Sequence, residues 1–310
     1  ITYGNKAVLC EQFPSMRAWV EYIRAQGDEE CLWNTGEQYG DWVAIDAPCE
    51  WEVELIEKPK TGATHPYMIA TAYYAYSTKL LIKAGLVLGY DMSEYEDLYE
   101  RIKVKFIETY YDGDLMVSDT QTAWAIGIYF DLVKDKEFAV KRLAELIRKN
   151  GNHLTTGFVG TPYLLHALSD NGEEKLAYTL LLQEDFPSWL YSVKQGATTV
   201  WEHWDGMRLD GTMWDAEMNS FNHYSLGSCG EWFTGYMCGI LPDPRYPGFE
   251  RITIKPNLDP QRRIKSAKAY YYSEKGRISS AWIIEGDKVE FKIKVPTGTK
   301  ATLSYEGQQY

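Results

Sequence analysis

At 310 residues the chain is long enough for about two domains with substantial cores. Its formal net charge of −12 repels phosphate backbones and anionic membranes, so neither nucleic acid nor a membrane is expected as a partner. No apolar run reaches the length of a membrane span, and no signal-peptide pattern precedes the first helix.

In chain order, Glu11–Ala25 carries Phe13, Met16, Trp19, Val20 and Ile23 at helical spacing and stops at Gly27. A long polar and aromatic segment follows, Trp33–Pro59, holding Gly40-Asp41-Trp42. A connection of that length is more often functional than idle. Tyr67–Leu88 reads as a helix buried on most sides. Ser93 and Glu96 have the spacing of a capping box, opening a helix with Tyr95, Leu98, Tyr99, Ile102 and Phe106 on one face. Further helices are expected over Thr120–Leu132, over 135–149 with a stop at Asn150-Gly151, from Pro162 onward, and over Glu173–Gln183. A last helix is expected over Ser220–Gly239. Helix pairs joined by alternating short and long connections point to an α/α toroid.

The character of the chain changes after Pro242-Asp-Pro-Arg-Tyr-Pro-Gly. Arg251–Lys255, Ser266–Tyr272, Arg277–Glu285, Lys288–Val295 and Ala301–Tyr305 alternate apolar with polar residues, with turns at Glu285-Gly-Asp-Lys and Pro296-Thr-Gly-Thr. The expected division is residues 1–246 for the helical domain and 247–310 for an antiparallel β module whose last strands are missing.

Five cysteines, Cys10, Cys31, Cys49, Cys229 and Cys238, are widely spaced and include no C-x-x-C. Free thiols, and with them a cytoplasmic setting, are the expectation. No His/Cys/Asp spacing resembles a metal site, and neither a metal nor a cofactor is expected. Residue 1 is Ile, so a processed chain or part of a longer one is expected.

The chemistry concentrates between Gly196 and His223. Glu202 lies between two indoles in Val200-Trp-Glu-His-Trp-Asp-Gly, and His223 follows a loop rich in Asp, Gly and Trp. A lone carboxylate among aromatic walls suits a sugar, whose C–H faces pack on rings while the carboxylate handles a hydroxyl or a water. The bland alternative is a structural carboxylate accepting an indole N–H, which is the commoner use of such a residue. Aromatic residues make up 15% of the chain, an excess that serves a carbohydrate cleft or an aromatic core. Asp46, Asp205, Asp210, Asp215 and Glu217 read as solvated or hydrogen-bonded loop residues. His65, His153 and His166 read as structural.

Gly-Ala-Thr-Thr-Val-Trp-Glu-His-Trp-Asp-Gly (196–206), Met-Asn-Ser-Phe-Asn-His-Tyr (218–224), Thr-Gly-Phe-Val-Gly-Thr-Pro-Tyr-Leu-Leu (156–165), Phe-Pro-Ser-Trp-Leu-Tyr (186–191) and Thr-Gln-Thr-Ala (120–123) together resemble the bacterial α-L-rhamnosidases of glycoside hydrolase family 78. The resemblance runs nearly end to end. It implies a mainly α fold, an incomplete (α/α)6 toroid followed by an antiparallel β-sandwich, and metal-free inverting hydrolysis of terminal α-L-rhamnosides.

By that resemblance Glu202 is the general base and His223 a substrate contact. Trp42 is a wall of the sugar subsite, and Trp201 and Trp204 shape the pocket. Apart from the resemblance, Asp41 reads, like the other loop acids, first as a solvated or hydrogen-bonded residue. Among them it is the most plausible cleft member, because sugar hydroxyls need charged acceptors beside an aromatic platform. His203 stands where many members have Arg. The family's acid lies in a segment of the form Asp-x-x-x-Arg-x-Gly-Trp, which does not occur here. About eight or nine helices are read where six hairpins need twelve. An inverting glycosidase needs two carboxyls roughly 6.5–9.5 Å apart, so the acid is expected from a preceding segment or a second chain. A toroid glycosidase for a different sugar, and a non-catalytic or partner-dependent sugar-binding fragment, remain the alternatives.

Overall fold

The computed structural model describes residues 1–46, 61–215 and 217–309. Cys49 and residues 47–59 of the long connection expected at Trp33–Pro59 lie outside them. Contacts divide the chain into two compact units, Leu9–Gly227, and Ser228–Tyr310 together with Ile1–Val8.

The helical elements are α1 (Lys6–Arg24), α2 (Pro66–Leu88), α3 (Ser93–Tyr110), α4 (Gln121–Phe130), α5 (Lys136–Lys149), α6 (Thr161–Ser169), α7 (Glu174–Leu181) and α8 (Trp189–Lys194). A two-residue hairpin, β1 (Tyr111–Asp112) with β2 (Leu115–Met116), joins α3 to α4. Local chemistry sets the boundaries. The side chains of Thr120, Asp135 and Ser188 accept amides of the first turns of α4, α5 and α8, satisfying donors that have no partner inside a helix. Pro66 sits in the first turn of α2, where its missing N–H costs nothing. The capping box expected at Ser93 and Glu96 does not form. Met92 occupies the N-cap, and Asp91 two residues earlier accepts the Ser93 amide at 3.0 Å, a local turn bond that takes Ser93 into the helix.

The helices pack as three successive hairpins. α2 lies against α3, α4 against α5 and α6 against α7, while α2 also touches α4 and α4 touches α6. α4 is buried along nearly its whole length and α2 on most sides. α3 and α5 instead bury one stripe, Leu98, Tyr99, Ile102 and Phe106 on α3 and Ala139, Val140, Leu143 and Ile147 on α5. An all-round apolar helix must sit inside and an amphipathic one outside, so α2, α4 and α6 form an inner layer. The segments leading into these three helices meet. Thr64 and Thr120 share a hydroxyl hydrogen bond of 2.6 Å, Ser118 accepts the His65 amide, and Thr122 of α4 bonds to Asp41.

In the second unit the strands are β3 (Ile240–Pro242), β4 (Arg251–Ile254), β5 (Ser266–Ser273), β6 (Gly276–Glu285), β7 (Lys288–Lys294), β8 (Lys300–Tyr305) and β9 (Gln308–Gln309). One sheet has the order β3-β4-β8-β9 and the other is the meander β5-β6-β7. Ile240, Phe249, Ile252, Ile254 and Ile278 form the buried core, with Tyr271, Ile293 and Leu303 packed against it, so the two sheets face each other as a sandwich. One pairing departs from the antiparallel expectation: β4 and β8 run parallel. The intervening meander supplies the long crossover that a parallel pair needs.

The helix expected over Ser220–Gly239 starts later and is irregular. A 3-10 turn (Ser225–Ser228) leads to α9 (Cys229–Trp232) and a π-helical turn (Phe233–Met237). Residues 228–246 belong with the sheets, although the sequence changes character only at 247. Trp282 on β6 donates its indole N–H to the Met237 carbonyl at 3.0 Å. Gly239, at φ 70°, lies so close to the chain that a Cβ would sit 2.1 Å from the Lys255 carbonyl carbon. No described helix is long and apolar enough to cross a membrane. Cys10, Cys31, Cys229 and Cys238 are free thiols.

Candidate active site

Three loops converge in the helical unit: 40–46, 153–160 before α6, and 199–223 after α8. Asp41 ties the first two together. Its carboxylate accepts the amides of Gly157 (2.8 Å), Val159 (2.7 Å) and Gly160 (3.2 Å) and the hydroxyl of Thr122. α6 begins at the next residue and has no side-chain cap of its own at Gly160, so this remote carboxylate satisfies its entering amides and meets the positive end of the helix dipole. The approach is close. A Cβ on Gly157 would lie 2.1 Å from the Trp42 carbonyl oxygen, and that carbonyl accepts the Phe158 amide at 2.9 Å.

This geometry revises the expectation for Asp41. The side chain is fully buried and its oxygens are engaged by protein donors, so it holds the loops instead of receiving sugar hydroxyls. Burial pushes its carboxyl upward, against the pull of the Thr122 hydroxyl and the three amides. Asp46 is pushed up to about 6, chiefly by burial, with the Ala63 amide opposing and the neighbouring Asp41 adding to the shift.

The third loop folds on itself. Glu202 and Ser220 exchange two hydrogen bonds, the Glu202 amide donating to the Ser220 carbonyl at 2.8 Å and the Ser220 amide donating to Glu202 Oε2 at 2.9 Å. Two residues on, the His223 amide donates to the Val200 carbonyl at 2.8 Å. These bonds hold 220–223 alongside 200–202 and explain why the expected helix does not begin at Ser220. Glu202 is half-buried, and among the described residues no arginine or lysine pairs with it.

His223 is half-buried, its ring stacked on Phe158 at 4.7 Å and 16°. Its Nδ1 faces the Ser225 amide at 3.4 Å, which leaves Nε2 to carry the proton in the neutral ring. Trp42 is half-buried too and meets Tyr39 edge-on at 5.9 Å. A continuous set of contacts therefore runs from Trp42 through Phe158 to His223, Val200 and Glu202.

The two indoles beside Glu202 are placed differently from the expectation. Trp201 and Trp204 are 5% and 4% exposed, too buried to offer a face to a sugar. Trp204 donates to the Thr156 carbonyl at 2.9 Å and Trp201 meets Phe221 edge-on at 5.2 Å. They support the backbone on either side of Glu202. His203 is buried against Trp214, their rings 3.9 Å apart. A groove of about 560 Å³ lies elsewhere in this unit, lined by Glu30, Cys31, Arg101 and Lys105.

Several of the other loop acids, and the three histidines read as structural, have local partners, Asp215 accepting the Glu217 amide at 2.9 Å. Asp205 pairs with Arg208, and Asp210 accepts from Thr212. His65 caps α2, His153 contacts the Pro187 carbonyl and His166 meets Asp170. Phe158 and Ser220 were not singled out in the sequence. The glycines flanking Phe158-Val159 were the available signal that a backbone approaches closely there.

Inner and outer helices in three hairpins, with a half-buried carboxylate and an imidazole on their loops, have the arrangement of part of a six-hairpin glycosidase domain. Comparison with known proteins agrees. The family model described as the bacterial α-L-rhamnosidase 6-hairpin glycosidase domain matches residues 1–237, and that of the bacterial α-L-rhamnosidase C-terminal domain matches 239–309. The chain belongs to the bacterial α-L-rhamnosidase family. It is 37% identical over 304 residues to an α-L-rhamnosidase of Streptomyces avermitilis, covering 97% of this chain and 28% of that protein. It is 32% identical over 305 residues to one from Alteromonas sp. (strain LOR), covering 96% and 32%. Among solved structures, the Streptomyces avermitilis α-L-rhamnosidase complexed with L-rhamnose superimposes with a TM-score of 0.84 at 36% identity, over 97% of this chain and 28% of that one. The native enzyme from Aspergillus terreus gives 0.88 at 31% identity, over 100% and 36%. The chain thus spans about a third of the length of these relatives.

Two predictions follow from the buried carboxyls. Asp41→Asn sets an amide N–H₂ against donors and should cost about 3 kcal/mol, read as a lower denaturant midpoint; an unchanged midpoint would mean the 157–160 turn is held without it. For Asp46, the folded value near 6 lies above the usual 3.8. Its contribution to stability is complete below the unfolded value and disappears as pH rises through about 6, a change of about 3 kcal/mol. Asp46→Asn should flatten the pH dependence of the melting temperature across that interval.

Proposed function

We propose that this chain supplies the water-activating side of an inverting α-L-rhamnosidase site. The reading rests on one observation above others. Glu202, in the motif shared with the family, is half-buried and anchored through a single oxygen by the Ser220 amide, and no described cation neutralises it. A carboxylate held in orientation yet not ion-paired is suited to take a proton from water.

His223 and Trp42, both half-buried and linked through Phe158, are the proposed sugar contacts. His223 offers Nε2 to a hydroxyl, and Trp42 offers an indole face to the apolar side of the ring. The S. avermitilis relative was crystallised with L-rhamnose, which favours this sugar over another for the same fold.

Inversion needs a second carboxyl, protonated, on the far side of the glycosidic bond. Among the loop acids, Asp41 is buried against four donors, Asp46 accepts the Ala63 amide through one oxygen, and Asp205 and Asp210 are locally bonded. The proposed source of the acid is therefore a segment outside these residues, and hydrolysis requires it. A sugar-binding portion that acts only with that segment is the same reading viewed from this chain alone.

With the acid-bearing segment supplied, Glu202→Gln should lower turnover on a chromogenic α-L-rhamnoside roughly a thousandfold while leaving KM nearly unchanged. Turnover near the unaltered level would remove Glu202 from the base role. His223→Ala should raise KM as well as lower kcat. Calorimetric titration of L-rhamnose should show weaker binding in that variant, and equal affinity would count against a substrate contact.

A further inference from the structure

The outer face of the meander β5-β6-β7 carries a cluster that the cleft does not use. Strand register sets it in three rows: Tyr272 opposite Arg277; Tyr270 opposite Ser279 opposite Lys294; Lys268 opposite Ala281 opposite Lys292. The alternate residues of β6, Ile278, Ser280 and Trp282, are buried, so these rows form the solvent side of the sheet. Tyr270 and Tyr272 are 54% and 66% exposed, and Lys268, Arg277, Lys292 and Lys294 are exposed as well.

Two observations separate this face from an ordinary solvated sheet. Among the described residues none of its four cations pairs with an acid, whereas Arg24, Arg101, Arg142 and Lys141 of the helical unit all do. The acids of the same face, Glu290 and Glu285, occupy rows beyond the cluster, opposite Ile283 and Lys288. A four-charge positive patch on a chain of net charge −12 is a local reversal of the field. Second, the aromatic pair is organised. The two tyrosine rings meet edge-on at 5.7 Å and 75°, and the Arg277 guanidinium carbon lies 4.6 Å from the Tyr270 ring centre. This holds a cation beside two exposed rings. Between tyrosines and lysines the central strand contributes only Ser279 and Ala281, leaving a shallow trough.

We propose that this face binds an acidic polysaccharide, one with uronate carboxylates along its chain. Sugar C–H faces pack on Tyr270 and Tyr272, and carboxylates spaced along the polymer meet Lys292, Lys294, Lys268 and Arg277. Two residues apart on one strand, Lys292 and Lys294 lie about 7 Å from each other and one strand spacing of about 4.8 Å from the trough, so a flexible polymer can engage them together. Nucleic acid carries a higher charge density, so the acidity of the rest of the chain opposes it more strongly than a more sparsely charged uronate polymer. The surface is independent of the cleft assignment.

The test measures binding of the full chain to polygalacturonate, to dextran as a neutral polymer, and to single-stranded DNA. Expected is low-salt binding to polygalacturonate that weakens as salt rises, with none to dextran. The double variant Lys292→Glu, Lys294→Glu should weaken it at least about tenfold. Tyr270→Ala, which leaves the charge unchanged, should weaken it several-fold. All three positions are solvent-facing, and an unchanged circular dichroism spectrum verifies the fold. No binding to polygalacturonate, retention in the double variant, or no effect of Tyr270→Ala would overturn the proposal. DNA bound as tightly as polygalacturonate would reduce the face to an ion exchanger and overturn it too.

Discussion

A single buried carboxylate organises the loops that carry the proposed site. Removing Asp41 from water is costly unless its oxygens are occupied, and here three amides and a hydroxyl occupy them. Those donors come from α4 and from the turn that enters α6. The loop bearing Trp42 is thereby locked to the loop bearing Phe158, and Phe158 supports the imidazole of His223. Positional accuracy at the proposed sugar contacts is therefore a consequence of an interaction that never meets the sugar.

The scaffold explains why the loops can gather at all. α2, α4 and α6 are inner helices, apolar enough to pack on several sides, and their entering segments lie together. Loops rooted on rigid helices can carry polar, irregular backbone without losing register. Glu202 uses the same device in another form. Its reciprocal bonds to Ser220 hold the side chain from within the loop, while buried Trp201 and Trp204 fix the backbone on both sides.

The sheet unit follows a different logic. Its core is a compact set of isoleucines and aromatics between two sheets, which leaves the outer face of the meander free of packing duties. Alternation along β5, β6 and β7 then allows that face to vary in charge without disturbing the interior. A concentration of cations without an acidic partner among the described residues, beside two tyrosines, is therefore a property of the surface alone, separable from folding.

Much of this was readable along the chain. Apolar spacing and capping residues located α2 through α7, because those signals are local and the helix period is strict. The motif around Glu202 and His223 was equally plain. Tertiary structure decided what each side chain faces. Asp41 beside a tryptophan looked like a sugar acceptor, yet its partners lie 81 to 119 residues away and turn it inward. Trp201 and Trp204 looked like open walls, and their burial depends on Phe221, Thr156 and Trp189. Ser93 matched a cap pattern that Asp91 pre-empted, and β4 found a parallel partner in β8 across the whole meander. Period and capping are written into neighbouring residues. Burial, partner and pairing direction are set by groups distant in sequence, and only the folded chain brings those together.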